Sequence, residues 1–361
     1  MPTKTTPTKT IKKTVKSANS DTKNQIQKLK ESFPKGYGQC YIGNDEALKV
    51  EYITTPIPSL NKLLGSGIPV GRIVEIYGQN GTGKTTLTLQ LIAGLHKSDV
   101  KKERNVIYID MENTFYPEYA TSLGVDLDRT LIVNPYSGEK AFAFAEHAII
   151  NKLVDLIVFD SVSTMISEGD LEGDKTTIRI GGHSRMMSAW LQRINATMLN
   201  SDKKVTCIFL NQLRNKINTM GYGPSDAPSG GMALGFYASV RIQLINVGQI
   251  KNSSGTIGNQ IRFNTIKNRF SKPKKQADIA MIYGRGFDLV YDTIYQCIQG
   301  DILVRKGNWI YLDDNPIGNG FDKAVNFVRD NPTVLEDLML RLENLEDNNS
   351  INEIDEGTDT E

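Results

Sequence analysis

A glycine-rich octapeptide, Gly78-Gln79-Asn80-Gly81-Thr82-Gly83-Lys84-Thr85, constrains the fold of this chain more than any other segment. It follows an apolar run at 72–77 that is typical of a β-strand and precedes a run at 86–97 that is typical of a helix. Its spacing is that of a phosphate loop, G-x4-G-K-S/T, whose backbone N–H groups and helix N-terminus surround phosphate oxygens. We therefore expect the residues from Gly78 to Thr86 to contact a nucleotide, with Lys84 at the β- and γ-phosphates and Thr85 as a ligand of Mg²⁺.

Apolar strands alternate with amphipathic helices through the middle of the chain. Strands are predicted at 105–110, 131–134, 155–161 and 205–212, and helices at 138–153 and 184–199. The alternation predicts an α/β fold with a mostly parallel, doubly wound sheet. The carboxyl ends of such strands share the edge of the sheet where ligands bind.

The sequence changes in character after Gln212. Strand-like runs at 239–246, 260–267 and 277–283 are expected to extend the sheet in an antiparallel direction. Shorter elements beyond about residue 290 predict a small C-terminal α+β domain.

Polar residues at the ends of three predicted strands are candidates for nucleotide chemistry. Asp160 ends the run LIVFD, where a carboxylate can hold the Mg²⁺ shell, or alternatively cap the helix that follows. Glu112 follows NVIYID and is the candidate general base for the attacking water, with Asp110 as its rival in the same turn. Gln212 ends VTCIFLNQ, where its amide can sense the γ-phosphate and pass the signal to the loop that follows.

That loop, at 213–231, contains four glycines and two prolines, too many for the interior of a helix or strand. Long loops inside compact domains are usually functional. Its cations and its apolar or aromatic side chains, Arg214, Lys216, Met220 and Tyr222, suit single-stranded nucleic acid through phosphate neutralisation and base wedging or stacking. A lid over a substrate is the alternative.

Charge is distributed unevenly along the chain, although the net charge is only +1. Residues 1–20 carry five lysines and no acid, and residues 343–361 carry eight acids and no base. We expect a flexible basic arm at 1–21 and a disordered acidic tail at 343–361. Tails of opposite sign indicate a protein that handles a polyanion and restrains itself electrostatically, or simply two solvated ends.

Cysteine spacing and hydropathy restrict the location and the kind of site. Cys40, Cys207 and Cys297 lie far apart, which argues against a zinc site or a disulfide framework and favours a reducing compartment. The three histidines lack metal-ligand spacing. No apolar run approaches the roughly 18 residues of a membrane span, and the N-terminus lacks the apolar core of a secretory signal. We therefore expect a cytoplasmic protein with no membrane contact.

From about Gln25 to Leu342 the sequence resembles the bacterial RecA recombinases. The resemblance is carried by GRIVEIYGQNGTGKTTLTLQ, VDLIVFDSV, RMMS, NQLRNKI, GGMALGFYASVR, KNRFSKPKKQA and GNWIYLDDNPIGNGFDKAVNFVRDNP. It implies a RecA-like ATPase core at 59–289, between an N-terminal oligomerisation segment at 22–58 and a DNA-gathering domain at 290–342. It also implies ATP and Mg²⁺ as cofactors, a homo-oligomeric helical filament, and activity on single-stranded and double-stranded DNA in recombination and repair.

The resemblance implies a role for several individual residues at the nucleotide. Glu112 matches the catalytic glutamate, and Gln212 matches the γ-phosphate sensor. Tyr119 matches the aromatic residue that stacks on adenine. Lys267 and Arg269 match two cations that reach the ATP of the neighbouring subunit, where they act in trans.

A second group matches the DNA-contacting parts of the family. Residues 174–184 and 213–229 match the two mobile DNA-binding loops, and Ile180 stands where an apolar residue wedges between base triplets. The full set of DNA-binding candidates is Ile180, Arg185, Ser188, Arg214, Lys216, Met220, Tyr222, Gly230 and Gly231.

Three residues depart from the family pattern. Gly235 stands where an interface lysine is expected, and Met232 replaces an asparagine at the DNA face. Tyr116 replaces an acid that contacts adenine. The second loop is also about one residue longer than in the family.

Two other classes of protein share parts of this pattern. A hexameric motor would use the same phosphate loop and a cation in trans, but it would form closed rings. A recombination mediator would hold ATP only as a structural ligand. The presence of Lys84, Glu112, Asp160 and Gln212 together favours an active DNA-dependent ATPase over the mediator.

Overall fold

The computed structural model describes residues 24–34, 38–98, 104–172, 181–215, 226–228, 232–252, 255–272 and 275–355. The chain divides into two compact units, Met1–Glu51 and Tyr52–Glu361. In the first unit, residues 24–31 are helical, and Lys30 forms an ion pair of 2.6 Å with Asp45. The predicted boundary between the N-terminal segment and the ATPase core, at residue 58, lies inside the second unit. Residues before it belong to that unit because β1 (Tyr52–Ile53) pairs with β2 (Ile68–Pro69).

The second unit is built around one large mixed sheet. Its strands are β3 (Ile73–Gly78), β4 (Val106–Asp110), β5 (Thr130–Val133), β6 (Leu156–Asp160), β7 (Thr206–Asn215), β8 (Asp226–Pro228), β9 (Val240–Asn252), β10 (Gly255–Asn268), β11 (Gln276–Ile282) and β12 (Gly286–Phe287). Their order is β12-β11-β10-β9-β3-β7-β6-β4-β5, with β8 paired to β7. The five strands from β3 to β5 in this order run parallel, so the predicted doubly wound α/β class is confirmed.

Helices cover both faces of this sheet. Those described are α1 (Pro58–Leu64), α2 (Lys84–Lys97), α3 (Pro117–Ser122), α4 (Gly138–Ile150), α5 (Glu168–Glu172), α6 (Gly182–Asn200) and α7 (Ala233–Tyr237). Because β-strand side chains alternate, β3 sends Val74 and Ile76 into the apolar cluster with α2, and Ile73 into the cluster with α4 and α6. Burial on both faces explains the near-continuous apolar runs of the central strands.

Two sequence-based expectations about the far side of the sheet are corrected. β9 is parallel to β3, whereas we expected it to be antiparallel. The chain between β7 and β9 returns through α7 to the end of the sheet where β3 begins, and Ser239 N donates to Ile73 O at 2.8 Å. β10 and β11 follow as antiparallel strands, as expected.

The second correction concerns the predicted loop at 213–231. β7 continues to Asn215, and its last residues pair antiparallel with β8, with Leu213 opposite Pro228. The count of glycines and prolines did not reveal this short hairpin, because a ladder is formed by backbone groups that any non-proline residue supplies.

The C-terminal part of the unit has an apolar cluster of its own. It consists of α8 (Leu289–Gln299), β13 (Leu303–Lys306), β14 (Trp309–Leu312), β15 (Asn315–Asn319), α9 (Phe321–Asp330) and α10 (Pro332–Asp355). The three strands form an antiparallel sheet, consistent with the predicted α+β class. α10 differs from the expectation of a disordered tail from 343, since its backbone is helical to Asp355. The leucine- and glutamate-rich stretch before residue 346 favours a helix that propagates onward.

A buried carboxylate joins α8 to α1. Asp292 is buried and accepts hydrogen bonds from the backbone N–H of Ser59, at 2.7 Å, and from the Ser59 hydroxyl. Gln296 donates to the same hydroxyl at 2.6 Å. Burial raises the pKa of Asp292 to about 6, although both bonds from Ser59 favour the ionised form.

The raised pKa of Asp292 predicts a pH-dependent stability. The folded protein holds the proton of Asp292 more tightly than the unfolded chain does. The contribution of this proton to the free energy of unfolding is therefore full below the ordinary aspartate pKa of 3.8 and is lost as pH rises through about 6. Asp292→Asn cannot titrate. The free energy of unfolding of wild type minus that of the variant should therefore fall by about 2 kcal/mol between about pH 4.5 and about pH 7.5.

Urea unfolding at the two pH values measures this difference. Asp330→Asn, which changes an exposed carboxylate on α9, is the matched control for the loss of one aspartate charge. A pH-independent difference for Asp292→Asn would show that this carboxyl keeps an ordinary pKa in the folded protein.

In the parts of the chain that the structure covers, the helices are too short or too polar to cross a lipid bilayer.

Candidate nucleotide site

The glycine-rich loop connects the end of β3 to the start of α2, as the sequence predicts. Gly83 has φ +83°, and a Cβ there would lie 2.5 Å from Met281 Sδ. A Cβ on Gly78 would lie 2.4 Å from Leu244 O. Larger residues at either position would push the loop away from the sheet, so these glycines keep the backbone tight around the cavity.

A cavity of about 380 Å³ lies between this loop and the carboxyl ends of the strands, within the size range of small-ligand sites. It is lined by Asn80, Gly81, Gly83, Lys84, Thr85, Thr86, Glu112, Asp160, Gln212 and Met281. Most of the predicted nucleotide residues therefore surround one space.

Lys84 is buried at the base of the loop. Its Nζ donates to Gly78 O at 3.1 Å and to Gln79 O at 2.9 Å, so the ammonium group is held by the carbonyls of its own loop. Burial lowers the pKa of Lys84, while the nearby charges of Asp160 and Glu112 act in the opposite direction. An anion in the cavity would add a partner for this desolvated cation.

Asp160 and Thr85 meet at the edge of the same cavity. Thr85 Oγ1 donates to Asp160 Oδ2 at 2.9 Å, and the Tyr108 hydroxyl donates to the same oxygen. Burial raises the pKa of Asp160. The N-cap residue of the short turn Val162–Thr164 is Ser161 and not Asp160, which disfavours the capping alternative.

The oxygen donors of Thr85 and Asp160 fit Mg²⁺. This cation prefers one or two carboxylates together with phosphate oxygens and water to a cage built only of protein groups. Among the described residues no cluster of three or more His, Cys, Asp or Glu side chains could hold a metal. A hydroxyl and one carboxylate beside an anion pocket are consistent with that preference.

Glu112 faces the cavity, and Asp110 does not. Glu112 Oε1 accepts hydrogen bonds from Ser161 Oγ at 2.5 Å and from Gln212 Nε2 at 2.8 Å. Both oxygens of Asp110 are used by the turn itself, since they accept the backbone N–H groups of Glu112, at 3.1 Å, and Phe115, at 2.8 Å. This division of labour favours Glu112 as the base and gives Asp110 a role in shaping the turn.

Tyr119 lies on α3 beside the first turn of α2. Its hydroxyl and Thr86 Oγ1 are 3.1 Å apart. Tyr116, the residue that precedes α3, is 61% exposed. Tyr119 is thus next to the phosphate loop, while its predicted contact with adenine stays a prediction.

Lys267 and Arg269 lie outside this cavity, at the end of β10 and just beyond it. Lys267 Nζ donates to the carbonyls of Gly235, at 2.9 Å, and Phe236, at 3.0 Å, on α7. Burial lowers the pKa of Lys267, and the neighbouring charges of Arg269 and Arg241 lower it further. Neither cation lines the cavity of its own chain.

The DNA candidates are only partly described. Arg185 and Ser188 are exposed and lie one turn apart at the start of α6, where the Ser188 hydroxyl donates to Ser184 O at 2.8 Å. The backbone of Arg214 pairs with Ala227 in the β7–β8 hairpin. The remaining candidates, Ile180, Lys216, Met220, Tyr222, Gly230 and Gly231, lie outside the described residues.

Sequence reasoning missed Tyr108 and Ser161. Strand alternation could have found Tyr108. It stands two residues before Asp110 and so shares a face of the sheet with it, and Asp110 is opposite Asp160 in the β4–β6 pairing. Ser161 directly follows Asp160 and carried no signal of its own.

The sheet is doubly wound and mostly parallel, and one edge of it carries a phosphate loop, a buried lysine, a threonine hydroxyl and two acids. This combination defines the class of P-loop nucleotide-hydrolysing proteins. A family model of the RecA N-terminal domain matches residues 21–288. Protein RecA of Paramagnetospirillum magneticum is 34% identical over 314 residues, which are 87% of this chain and 86% of that protein. Protein RecA of Wigglesworthia glossinidia brevipalpis is 34% identical over 318 residues, or 88% of this chain and 94% of that protein.

The chain therefore belongs to the RecA family and is an ATP-dependent recombinase with DNA-dependent ATPase activity. Membership implies that it binds a nucleotide with Mg²⁺, binds DNA and self-assembles.

Proposed function

We propose that this chain uses ATP and Mg²⁺ to form a helical filament on single-stranded DNA, and that the filament pairs this strand with homologous double-stranded DNA and exchanges strands. One observation carries the proposal. Lys84, Glu112 and Gln212 surround a single cavity with the Thr85–Asp160 pair, and Gln212 also begins the segment that leads into the second predicted DNA loop. This arrangement supports coupling between hydrolysis and DNA.

The side chains of the cavity divide the work of hydrolysis. Lys84 would exchange loop carbonyls for phosphate oxygens, and Tyr119 would hold the adenine. Thr85 and Asp160 would hold Mg²⁺, which neutralises phosphate charge when bound. Glu112 would take the proton of the attacking water.

Gln212 connects the reaction to DNA. Its amide donates to Glu112 Oε1 at 2.8 Å. An oxygen of the γ-phosphate would compete for this amide and release Glu112 to act on water. Because Gln212 lies in β7 just before the β7–β8 hairpin, its change of partner would alter the position of the second DNA loop.

The filament would follow from the location of Lys267 and Arg269. Cations that lie outside their own cavity can complete a nucleotide site only on a neighbouring copy. A head-to-tail contact of this kind gives a helix when it does not close into a ring. Base pairing would read homology inside the filament, so the chain needs no code of base-contacting side chains.

Two measurements on the full chain test the proposal. The first is ATP hydrolysis with and without single-stranded DNA, and the second is strand exchange between a circular single strand and a homologous linear duplex. We expect the rate of hydrolysis to rise on adding DNA, and open helical filaments to be visible in electron micrographs. Closed rings that unwind duplex in one direction would support the hexameric motor. Tight DNA binding with no stimulated hydrolysis would support the mediator.

A further inference from the structure

A buried carboxylate in the centre of the sheet lies outside the cavity. Glu75, in the middle of β3, is 1% exposed, whereas its neighbours Val74 and Ile76 are apolar core residues. Its Oε1 accepts from Asn211 Nδ2 on β7 at 3.0 Å, and its Oε2 accepts from Arg241 Nε on β9 at 2.5 Å. One side chain therefore connects the strands on both sides of β3.

On the β7 side, the hydrogen bonds continue to the nucleotide site. Asn211 Oδ1 accepts from the backbone N–H of Gln212 at 2.9 Å, and Gln212 Nε2 donates to Glu112. Asn211 thus holds the backbone of the proposed γ-phosphate sensor, while Glu75 holds the other end of the Asn211 amide.

On the β9 side, the same carboxylate reaches the residues around Lys267. Arg241 is opposite Lys267 in the β9–β10 pairing, and its guanidinium group lies 5.1 Å from the centre of the Tyr77 ring. A Cβ on Gly235 would lie 3.2 Å from Arg241 Nη1, and Gly235 O accepts from Lys267. The glycine that replaces the expected interface lysine therefore leaves room for this arginine.

We infer that Glu75 is a positioning residue: through Asn211 it fixes the γ-phosphate sensor Gln212, and through Arg241 it ties that sensor to the face that carries Lys267. The inference rests on the proposed function, in which Gln212 distinguishes ATP from ADP. A buried carboxylate is not needed for the stability of a central strand, because apolar residues usually fill such positions. The presence of Glu75 in the centre of the sheet is explained by the two partners that it orients.

The test compares affinities for ADP and for a non-hydrolysable ATP analogue by calorimetry, with Mg²⁺ present. Glu75→Gln leaves one acceptor oxygen for two donors, the Asn211 amide and the Arg241 guanidinium group. We expect it to lower the ratio of ATP-analogue to ADP affinity by about tenfold, the scale of one hydrogen bond to a charged group, with ADP affinity within about twofold of wild type. Asn211→Ala should give the same loss, and the double variant should be no worse than either single one.

Glu146→Gln is the matched control. Glu146 is 8% exposed and pairs with Arg193 at 2.6 Å on the far helices α4 and α6, so its loss removes a similar ion pair away from the cavity. It should leave the ratio unchanged. A Glu75→Gln ratio equal to that of wild type, or an equal loss of both nucleotides, would overturn the inference.

A second variant covers the case in which Glu75→Gln does not fold. Glu75→Met combined with Arg241→Met replaces the ion pair by apolar groups of similar volume, a change that proteins often tolerate. It also removes the acceptor of the Asn211 amide, so the ratio of ATP-analogue to ADP affinity should fall by the same factor. An unchanged ratio in this variant would overturn the inference, whereas loss of DNA-stimulated hydrolysis in the wild type would overturn the proposed function instead.

Discussion

Glu112→Gln is expected to lower kcat for DNA-stimulated ATP hydrolysis by about 10²- to 10⁴-fold, the usual contribution of a positioned general base. The amide has nearly the shape of the carboxylate, so it can still accept from Ser161 Oγ, which lies 2.5 Å from Glu112 Oε1. It cannot take a proton from water. Nucleotide affinity should stay within about threefold of wild type, because Glu112 acts on the transition state and not on bound ATP.

Steady-state hydrolysis and calorimetric nucleotide binding measure these two quantities separately. Glu118→Gln, an exposed glutamate on α3, is the matched control and should hydrolyse ATP like wild type. Asp110→Asn tests the rival base, and it should lower thermal stability as well as kcat, because two backbone N–H groups lose a charged acceptor. If Asp110→Asn abolished hydrolysis with full stability while Glu112→Gln stayed active, the assignment of the base would be reversed.

The nucleotide half of the site is where the sequence was most informative. A phosphate loop requires glycines, lysine and threonine at fixed spacing, and the acids at strand ends follow from the topology of a parallel sheet. Asp160, Glu112 and Gln212 could therefore be placed at one edge of the sheet from the sequence alone. The choice between Glu112 and Asp110 could not be made from sequence, because it depends on which carboxylate is consumed by the backbone of the turn.

Other features depend on contacts between strands that are distant in sequence. Glu75 stands in an apolar run and gave no signal, since its partners Asn211 and Arg241 lie 136 and 166 residues away. The predicted antiparallel direction of β9 was wrong for a related reason. Hydrophobic alternation identifies a strand but does not determine its direction. That direction is determined by the long connection between β7 and β9, in which a glycine-rich composition hid a hairpin.

Lys267→Ala is expected to lower kcat by about 10³-fold while the variant still binds nucleotide, because a cation supplied in trans acts on the charge of the transition state. Its Nζ is held by two carbonyls of α7 and lies away from the cavity of its own chain. Lys251→Ala, which removes an exposed lysine from β9, is the control for loss of charge and should be fully active.

Mixing two inactive variants separates action in trans from action within one chain. In a filament formed from equal amounts of Lys267→Ala and Glu112→Gln, about a quarter of the junctions unite an intact Glu112 with an intact Lys267 from the next copy. Hydrolysis should therefore recover to about a quarter of the wild-type rate, although each variant alone is nearly inactive. If Lys267 acted on its own chain, every subunit of the mixture would carry one defect and the rate would stay at the level of the single variants. A site shared between neighbours is the arrangement that lets one subunit respond to the nucleotide bound by the next.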